Sequence, residues 1–371
     1  DWDWVISRQR IFATPIPIWY CKKCGETILA EPDWAPIDPR TEDPKIDKCP
    51  KCGSKNFTPE TDVLDTWFDS SITCAVHAGW PDSQDWHRLY PADLHTSGYD
   101  IIRTWAYYLM VRHLALFDEK PYKSVLINGM VLGSDGRKMS KSLGNYVATP
   151  DVFNKYGADA PRQWAASGGA TGSDIPFRWA DVEYGWRFLI KLWNAARFAS
   201  LHLRDYTPQV NVELDQLDRW LLTKMEKVTQ RATTALENCQ FNIATEEIRN
   251  FTWHELCDQY IEAIKHRLYK PETYGKKKKE AVQHCLYTAI YRTLQLLAPI
   301  SPHITEEIYQ TMYADDKKHR SIHVSPWPLP RKEKIDEEIE KHGDLIMATI
   351  GEIRRDKAER KKPLNAPIKK L

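Results

Sequence analysis

The spacing of apolar positions changes near residue 179. Before it, short apolar runs alternate with turn-rich segments, the texture of an α/β domain. Ser124–Leu132, SVLINGMVL, reads as one buried strand leading straight into the loop Gly136–Asn145, GRKMSKSLGN. Tyr99–Phe117 lacks Gly and Pro, and Ile102, Trp105, Leu109 and Leu116 recur near helical spacing, which predicts a long buried helix. Thr149 followed by Pro150 predicts a helix start, with the threonine as cap and the proline in the first turn. Past Trp179 the pattern becomes five helical segments, about 179–203, 214–237, 242–269, 276–298 and 302–314. Short links between such helices predict a bundle. Ser301-Pro302 supplies a second cap-plus-proline start, and a charged helical tail is expected over 332–371. The predicted organisation is an α/β region over 1–178, a helical bundle over 179–331 and the tail.

Composition narrows the class. The 371 residues are 42% hydrophobic and 28% charged, enough for two cores in a soluble protein. Lys and Arg number 52 against 51 acids, so any nucleic-acid surface must be local. The last 18 residues are such a place, with eight Lys or Arg against two acids. No apolar run approaches the ~20 residues that span a bilayer, so no membrane partner is expected. The start, Asp1-Trp2-Asp3-Trp4, resembles neither a signal nor a transit peptide. It lacks Met, and the expectation is an internal stretch of something longer.

Four of the eight cysteines, Cys21, Cys24, Cys49 and Cys52, fall within 32 residues as two Cys-x-x-Cys pairs. Each pair precedes a glycine, Gly25 or Gly53, that lets backbone N–H groups turn toward thiolates. Two such turns present four sulfurs to one structural Zn2+, in an insert over about 21–52. Four thiolates leave no open position for catalysis. The segment is too short for a core, so metal is expected to supply much of its folding energy. Four unrelated buried or reactive cysteines are the competing reading. The scattered remainder suggests no disulfide framework and favours a reducing, cytoplasmic setting.

GRKMSKSLGN combines Lys138 and Lys141 with Ser140, Ser142 and the hinges Gly133, Gly136 and Gly144. Most lysine-rich loops are solvated turns. This one follows a strand and precedes a capped helix, at the sheet edge where α/β proteins bind ligands. Its mobile cations and hydroxyl donors suit a polyphosphate. A P-loop is excluded, because Arg137 separates Gly136 from Lys138.

The loop resembles the KMSKS signature, residues 138–142, of class I aminoacyl-tRNA synthetases. In that family it closes over ATP and stabilises charge on the departing pyrophosphate. The resemblance implies catalytic roles for Lys138, Ser140 and Lys141. Gly98-Tyr99-Asp100-Ile101-Ile102-Arg103 is similar to the nucleotide element of the valine-specific branch, and Asp62–Phe68 to its amino-acid segment. By resemblance, Gly98, Asp100, Gly129, Met130 and Lys141 meet ATP or the adenylate, and Trp67 and Ile101 line a valine pocket. Ordinary core packing would account for each of these residues singly. Asp1–Glu26 resembles the zinc-bearing region of archaeal-type members. Gly157–Arg162, Leu297–Glu307 and Ser325–Pro328 resemble the junction and anticodon-binding helices, with Pro161 where Leu is usual.

The resemblance therefore implies the second half of a Rossmann-like catalytic domain with a small zinc module, followed by an all-α anticodon-binding bundle. It implies ATP with Mg2+ as substrate, and valine and tRNA(Val) as partners. No His-x-Gly-His run occurs, and His77-Ala78-Gly79-Trp80 cannot replace it. The HIGH half and the editing domain are expected to lie outside this stretch, leaving it inactive alone. Trp253 or Tyr260 could stack anticodon bases, unless they are core residues, and the run Lys276–Lys279 reads as a solvated helix start. A free-standing, non-catalytic relative binding tRNA or zinc is the competing reading, and isoleucyl relatives share the loop.

Overall fold

The chain divides after Asn128 into two units, Asp1–Asn128 and Gly129–Leu371, in a computed structural model that describes residues 3–209, 211–317, 319–363 and 366–368. The first unit opens with β1 (Ser7–Arg8), β2 (Ile18–Cys21), β3 (Thr27–Leu29), β4 (Phe57–Pro59) and β5 (Val63–Leu64). β2 is the centre of an antiparallel sheet of order β3-β2-β4, in which Trp19 lies opposite both Ile28 and Pro59. Trp19, Ile28 and Trp34 are buried together with Phe57 packed beside them. The cysteine segment thus has a small core, which its length did not lead us to expect. Two large indoles supply it, because one tryptophan buries as much area as several aliphatic residues.

Short helices α1 (Thr66–Ser70), α2 (Thr73–His77) and α3 (Trp86–Leu89) lead to a β–helix–β crossover. Its strands, β6 (Ala92–Gly98) and β7 (Tyr122–Asn128), pair in parallel and end level, Gly98 opposite Asn128. The intervening helical run is continuous, as its sequence predicts, but it is not uniform. It passes from a 3-10 turn (Tyr99–Ile101) through a π-turn (Ile102–Ala106) into α4 (Tyr107–Phe117). Only Ala106, Leu109 and His113 are buried on it, while Tyr107 and Leu114 are 54% and 49% exposed. A helix lying on a two-stranded sheet buries one stripe and no more.

The apolar run Ser124–Leu132 is not one buried strand. Lys123, Ser124 and Val125 are exposed, β7 stops at Asn128, and β8 (Val131–Leu132) pairs instead with β9 (Ile175–Pro176). The cause is Gly129, where a Cβ would lie 2.0 Å from the Ser173 carbonyl oxygen. The backbones cross so closely there that the strand must break.

In the second unit, α5 (Thr149–Tyr156) and α6 (Asp159–Ser167) precede β9 and the long α7 (Trp179–His202). Then come α8 (Gln216–Glu237) and α9 (Phe241–Asn250), the latter running on through a π-segment (Phe251–Ile261) into α10 (Glu262–Tyr269). After α11 (Pro271–Tyr274) follow α12 (Lys276–Leu297), α13 (Pro302–Met312), α14 (Ala314–Lys317) and α15 (Glu337–Glu359). One continuous core runs from Val152 on α5 to Met347 on α15. The tail is helical only to Glu359, and Lys369 and Lys370 of its basic end lie outside the described residues. Among the described residues no helix is long and apolar enough to cross a membrane.

Helix starts depart from the sequence expectation in an informative way. Thr149 lies inside α5, and Ala148 takes the cap position without a side-chain bond. Ser301 occupies the cap of α13, yet its hydroxyl accepts from Gln163 Nε2 at 2.8 Å. The N–H groups of His303 and Ile304 are met instead by the Asp159 carboxylate, at 3.3 and 2.7 Å. Beside it, Arg162 donates to the carbonyls of Pro299 and Ile300 at 2.8 and 2.9 Å. These bonds fasten α6 to the start of α13 from about 140 residues away in sequence.

Two outcomes follow from these contacts. Replacing Asp159 with Ala removes the cap from two N–H groups of α13, and denaturant unfolding of the second unit is expected to show a loss of about 1 kcal/mol. His113 is fully buried, its Nδ1 2.8 Å from the Tyr90 hydroxyl, and burial pulls its pKa down to about 4. A histidine depressed in the fold takes its proton more readily unfolded, so its contribution favours the fold above pH 6.5 and is lost as pH falls toward 4. Stability is expected to drop by up to about 3 kcal/mol across that window, and His113→Gln to flatten the profile.

Candidate functional site

Only the second unit carries the lysine loop, and its geometry is fixed more firmly than its glycines imply. Lys138 bridges back to Leu132, Gly133 N–H donates to Arg137 O at 2.8 Å, and Gly136 turns with φ +74°. A 3-10 turn, Lys141–Leu143, follows and closes at Gly144 with φ +67°. Asn145 ties the two turns together, accepting from Ser140 N–H at 2.8 Å and donating to Asp135 at 3.0 Å. Met139 and Val147 pack on the core and hold the loop down at both sides.

The charges sort themselves within this frame. Asn145 Nδ2, then the Arg137 backbone N–H and guanidinium, hold the Asp135 carboxyl down at about 2. Asp135 pairs with Arg137 at 2.8 Å, which neutralises that cation. Lys138 and Lys141 are exposed, and among the described residues neither forms an ion pair; Lys141 Nζ lies 5.7 Å from the Tyr146 ring. Ser140 and Ser142 share a 2.7 Å hydroxyl hydrogen bond. The result is two unpaired ammonium groups and two hydroxyls on a hydrogen-bonded turn, an arrangement that favours a polyanion. Asn145 and Asp135 were not assigned roles from the sequence. The only signal they carry is a position flanking the glycine turns.

The other expected site residues distribute between the units. Gly129 and Met130 stand just before β8 in the second unit, and Met130 N–H donates to Asp174 Oδ1 at 2.8 Å. Gly98, Asp100, Ile101 and Trp67 belong to the first. Gly98 closes β6, and a Cβ there would sit 2.7 Å from Asp100 Oδ1, so the carboxylate folds back over the glycine. Trp67 is 37% exposed on α1, whose first turn is capped by Asp65 accepting from Trp67 N–H at 3.1 Å. Asp65 also takes Arg8 at 2.8 Å and the Trp4 indole at 3.0 Å. Trp105 Nε1 donates to Ser70 Oγ at 3.0 Å, which ties α1 to the helical run bearing Ile101.

The four cysteines of the first unit converge. Their Sγ atoms all lie within 4.8 Å of one another, with Cys21–Cys52 at 3.6 Å and Cys24–Cys49 at 3.7 Å. A tetrahedron with Zn–S bonds of ~2.3 Å has sulfur–sulfur edges of roughly 3.8 Å, so the set fits zinc. Two matched knuckles build it. Gly25 and Gly53 adopt φ +70° and +72°, and each N–H returns to the first cysteine of its pair at 2.9 Å. The backbone N–H of Cys24 leads in holding the Cys21 thiol down at about 6. At Cys24 the N–H of Glu26 pulls the same way, but burial and the neighbouring sulfurs outweigh it and push that thiol up to about 12. Four thiols so close need a cation before they can all ionise.

In the bundle, Tyr260 is fully buried and donates to Asp218 at 2.7 Å, so it belongs to the core and cannot stack on a base. Trp253 is half-buried, stacked on Tyr184 at 5.8 Å under Lys191 Nζ at 4.7 Å. Lys277 and Lys279 are paired with Glu213 and Asp205 at 3.4 and 2.5 Å, and Lys278 with Asp215. A cleft of about 650 Å³ gathers Tyr206, His284, Tyr287, Tyr291, Arg292 and Lys317. Lys317 Nζ sits 4.6 Å from the Tyr291 ring and 5.0 Å from that of Tyr287. Its residues come from separate helices and loops, which is why no local pattern pointed to it.

Residues 1–178 match the family described as tRNA synthetases class I (I, L, M and V), and 218–371 match the anticodon-binding domain of tRNA ligase. A valine--tRNA ligase of Methanothermobacter thermautotrophicus is 49% identical over 369 residues, covering 100% of this chain and 40% of the relative. One from Methanosarcina acetivorans is 49% identical over 376 residues, covering 100% of the chain and 42% of the relative. The chain thus spans about two-fifths of the length of the curated relatives it matches. Among solved structures, a LeuRS-tRNA-LeuAMS ternary complex from Agrobacterium radiobacter overlays 90% of the chain and 43% of its own, at TM-score 0.70 and 23% identity. A Mycobacterium tuberculosis methionyl-tRNA synthetase bound by methionyl-adenylate overlays 73% of the chain and 55% of its own, at TM-score 0.56 and 21% identity. At such identities the likeness is one of fold.

Purified protein is expected to hold one zinc ion per chain by elemental analysis. Cys49→Ser should release it and collapse the near-ultraviolet signal of Trp19 and Trp34, since binding on the order of 10 kcal/mol helps fold such a segment. A zinc-free protein with an unchanged signal would refute the assignment.

Proposed function

The chain belongs to the class I tRNA synthetases, and on that footing we propose that it serves the valine-specific branch, activating valine with ATP and transferring it to tRNA(Val). The observation that carries the valine assignment is the near-half identity to valine--tRNA ligases along the whole chain. The chemistry rests on the lysine loop. Charge builds on the pyrophosphate as the carboxylate of the amino acid attacks the α-phosphate. Lys138 and Lys141, which form no ion pair among the described residues, supply cations to it without a salt bridge to break, while Ser140 offers a hydroxyl. ATP brings Mg2+, which shares that charge.

The remaining roles divide along the sequence. Residues 1–178 form the second part of the catalytic domain with its zinc insert, 179–331 the tRNA-reading bundle and 332–371 a basic tail. Gly98 leaves room for the Asp100 carboxylate, which would accept from the ribose. In the second unit, Gly129 and Met130 would approach the adenylate. Trp67, exposed and held by the capped α1, and Ile101 would enclose a small branched side chain. On the bundle, the tyrosine-lined cleft under Lys317 replaces Tyr260 as the place where anticodon bases would stack, because the half-buried Tyr206 and Tyr291 line it and its cations would meet phosphate. Structural zinc holds the Trp19 module in shape and takes no part in the reaction.

No His-x-Gly-His partner for the lysine loop occurs in the 371 residues. Valine-dependent ATP–pyrophosphate exchange by this chain alone is therefore expected at background, and turnover near that of a complete relative would overturn the proposal. In a full-length protein bearing this sequence, Lys141→Ala should cost roughly 3 kcal/mol, or about a hundredfold in exchange rate, with valine affinity little changed.

A further inference from the structure

Asn145 is half-buried on a loop where Lys138, Lys141 and Leu143 are exposed. Its amide is used at both ends. Oδ1 accepts from Ser140 N–H at 2.8 Å, while Nδ2 donates to Asp135 at 3.0 and 3.3 Å and to the Lys138 carbonyl at 3.3 Å. One side chain therefore grips the backbone on both sides of Met139, at the lysine and at the serine. Asp135 closes the set from the preceding turn. Its Oδ1 also accepts from the Arg137 backbone N–H at 3.1 Å, and its Oδ2 from the Arg137 guanidinium at 2.8 Å.

Gly133 is fitted to this pair. It is buried, and a Cβ there would lie 2.8 Å from Asn145 Nδ2, 2.9 Å from Asp135 Oδ1 and 3.0 Å from Asn145 Cβ. Both side chains thus close over a bare α-carbon, and a larger residue would part them. The two are chemically unlike, as their bond requires, because the amide donates and the carboxylate accepts. An acid at both positions would set two negative charges about 3 Å apart. The other charged residues at this amide are Arg137, held on the carboxylate, and Lys138, which meets it through its carbonyl.

We propose that Asn145 and Asp135 are positioning residues for the lysine loop, their paired side chains fixing where the Lys138 and Ser140 backbones stand and so where the cations meet the pyrophosphate. Neither touches substrate in this role, which presupposes that the lysine loop serves pyrophosphate departure as proposed above. A loose turn would have to order its lysines as charge develops. A turn already held by side-chain bonds presents them in place, and preorganised cations stabilise a transition state without that cost. Displacement on the order of 1 Å is enough to lose up to about a hundredfold in rate. The loss falls on turnover and spares the affinity for valine.

The test is valine-dependent ATP–pyrophosphate exchange by a full-length protein bearing this sequence, followed against pH, with Lys141→Ala as reference. Asn145→Ala is expected to lower kcat about tenfold or more with KM for valine unchanged. Asn145→Asp keeps the acceptor for Ser140 but opposes two carboxylates, which can share one proton. Its rate relative to the parent is expected to fall as pH rises and that proton is lost. The parent lacks that limb, since its Asp135 is held down at about 2. Adding Asp135→Asn to Asn145→Asp exchanges donor and acceptor, and should restore most of the rate and remove the limb. A residue that merely filled space would show neither effect. Circular dichroism checks that each variant folds; should Asn145→Ala unfold, the isosteric variants carry the test. The role is overturned if Lys141→Ala slows exchange while folded Asn145→Ala does not, if Asn145→Asp follows the parent's pH profile, or if the exchanged pair does no better than Asn145→Asp. Should Lys141→Ala itself leave exchange unchanged, the lysine-loop reading falls and takes this role with it.

Discussion

Asp159 places a buried carboxylate on two N–H groups that α13 cannot satisfy within itself. Much of the second unit is arranged around that bond. The aspartate sits at the start of α6, three residues beyond the end of α5, so the chain that follows the lysine loop is tied to the bundle just past that helix. Arg162 and Gln163 reinforce it with bonds to the Pro299–Ser301 turn, and Gln163 hands on to Arg249. The helices that follow the loop are therefore anchored to α13 by a helix-cap interaction from far along the chain. That explains why the loop groups with the helices rather than with the strands before it.

The same division shows how the chemistry is split. The lysine loop keeps its ammonium groups available by giving Arg137 its own counter-ion and by letting Asn145 carry the turn. The bundle does the reverse with Lys277, Lys278 and Lys279, each of which is spent on an acid. Two lysine-rich stretches of similar composition thus differ in whether a carboxylate lies within reach.

What the sequence made legible was local and periodic. Helices over the bundle declare themselves by spacing, and their observed ends agree to within a few residues, several of them marked by Pro271, Gly275, Pro299 and Pro302. The cysteine pairs were equally plain, since ligand spacing is a short-range property. The breaks came where a distant residue decides. Gly129 splits an apolar run because Ser173 crosses it, Thr149 yields its cap position to Ala148, and Asp159 serves a helix that begins some 140 residues on. Tyr260 reads like an accessible aromatic until Asp218 is seen beside it. The tyrosine cleft draws on several segments, and no window of sequence contains it.

Gly343 on α15 presses against the ring of Trp220 on α8, and a Cβ there would come within 2.2 Å of the indole. The indole is also pinned by Asp344, which accepts from its Nε1 at 2.9 Å. Ring and backbone therefore meet at one setting, and sliding α15 by a turn would put a bulkier residue where only hydrogen fits. A helix whose flanking charges could pair in several alignments is thereby given a single index mark, like a key cut to one notch. Whatever extends beyond its basic end inherits its direction from a residue with no side chain.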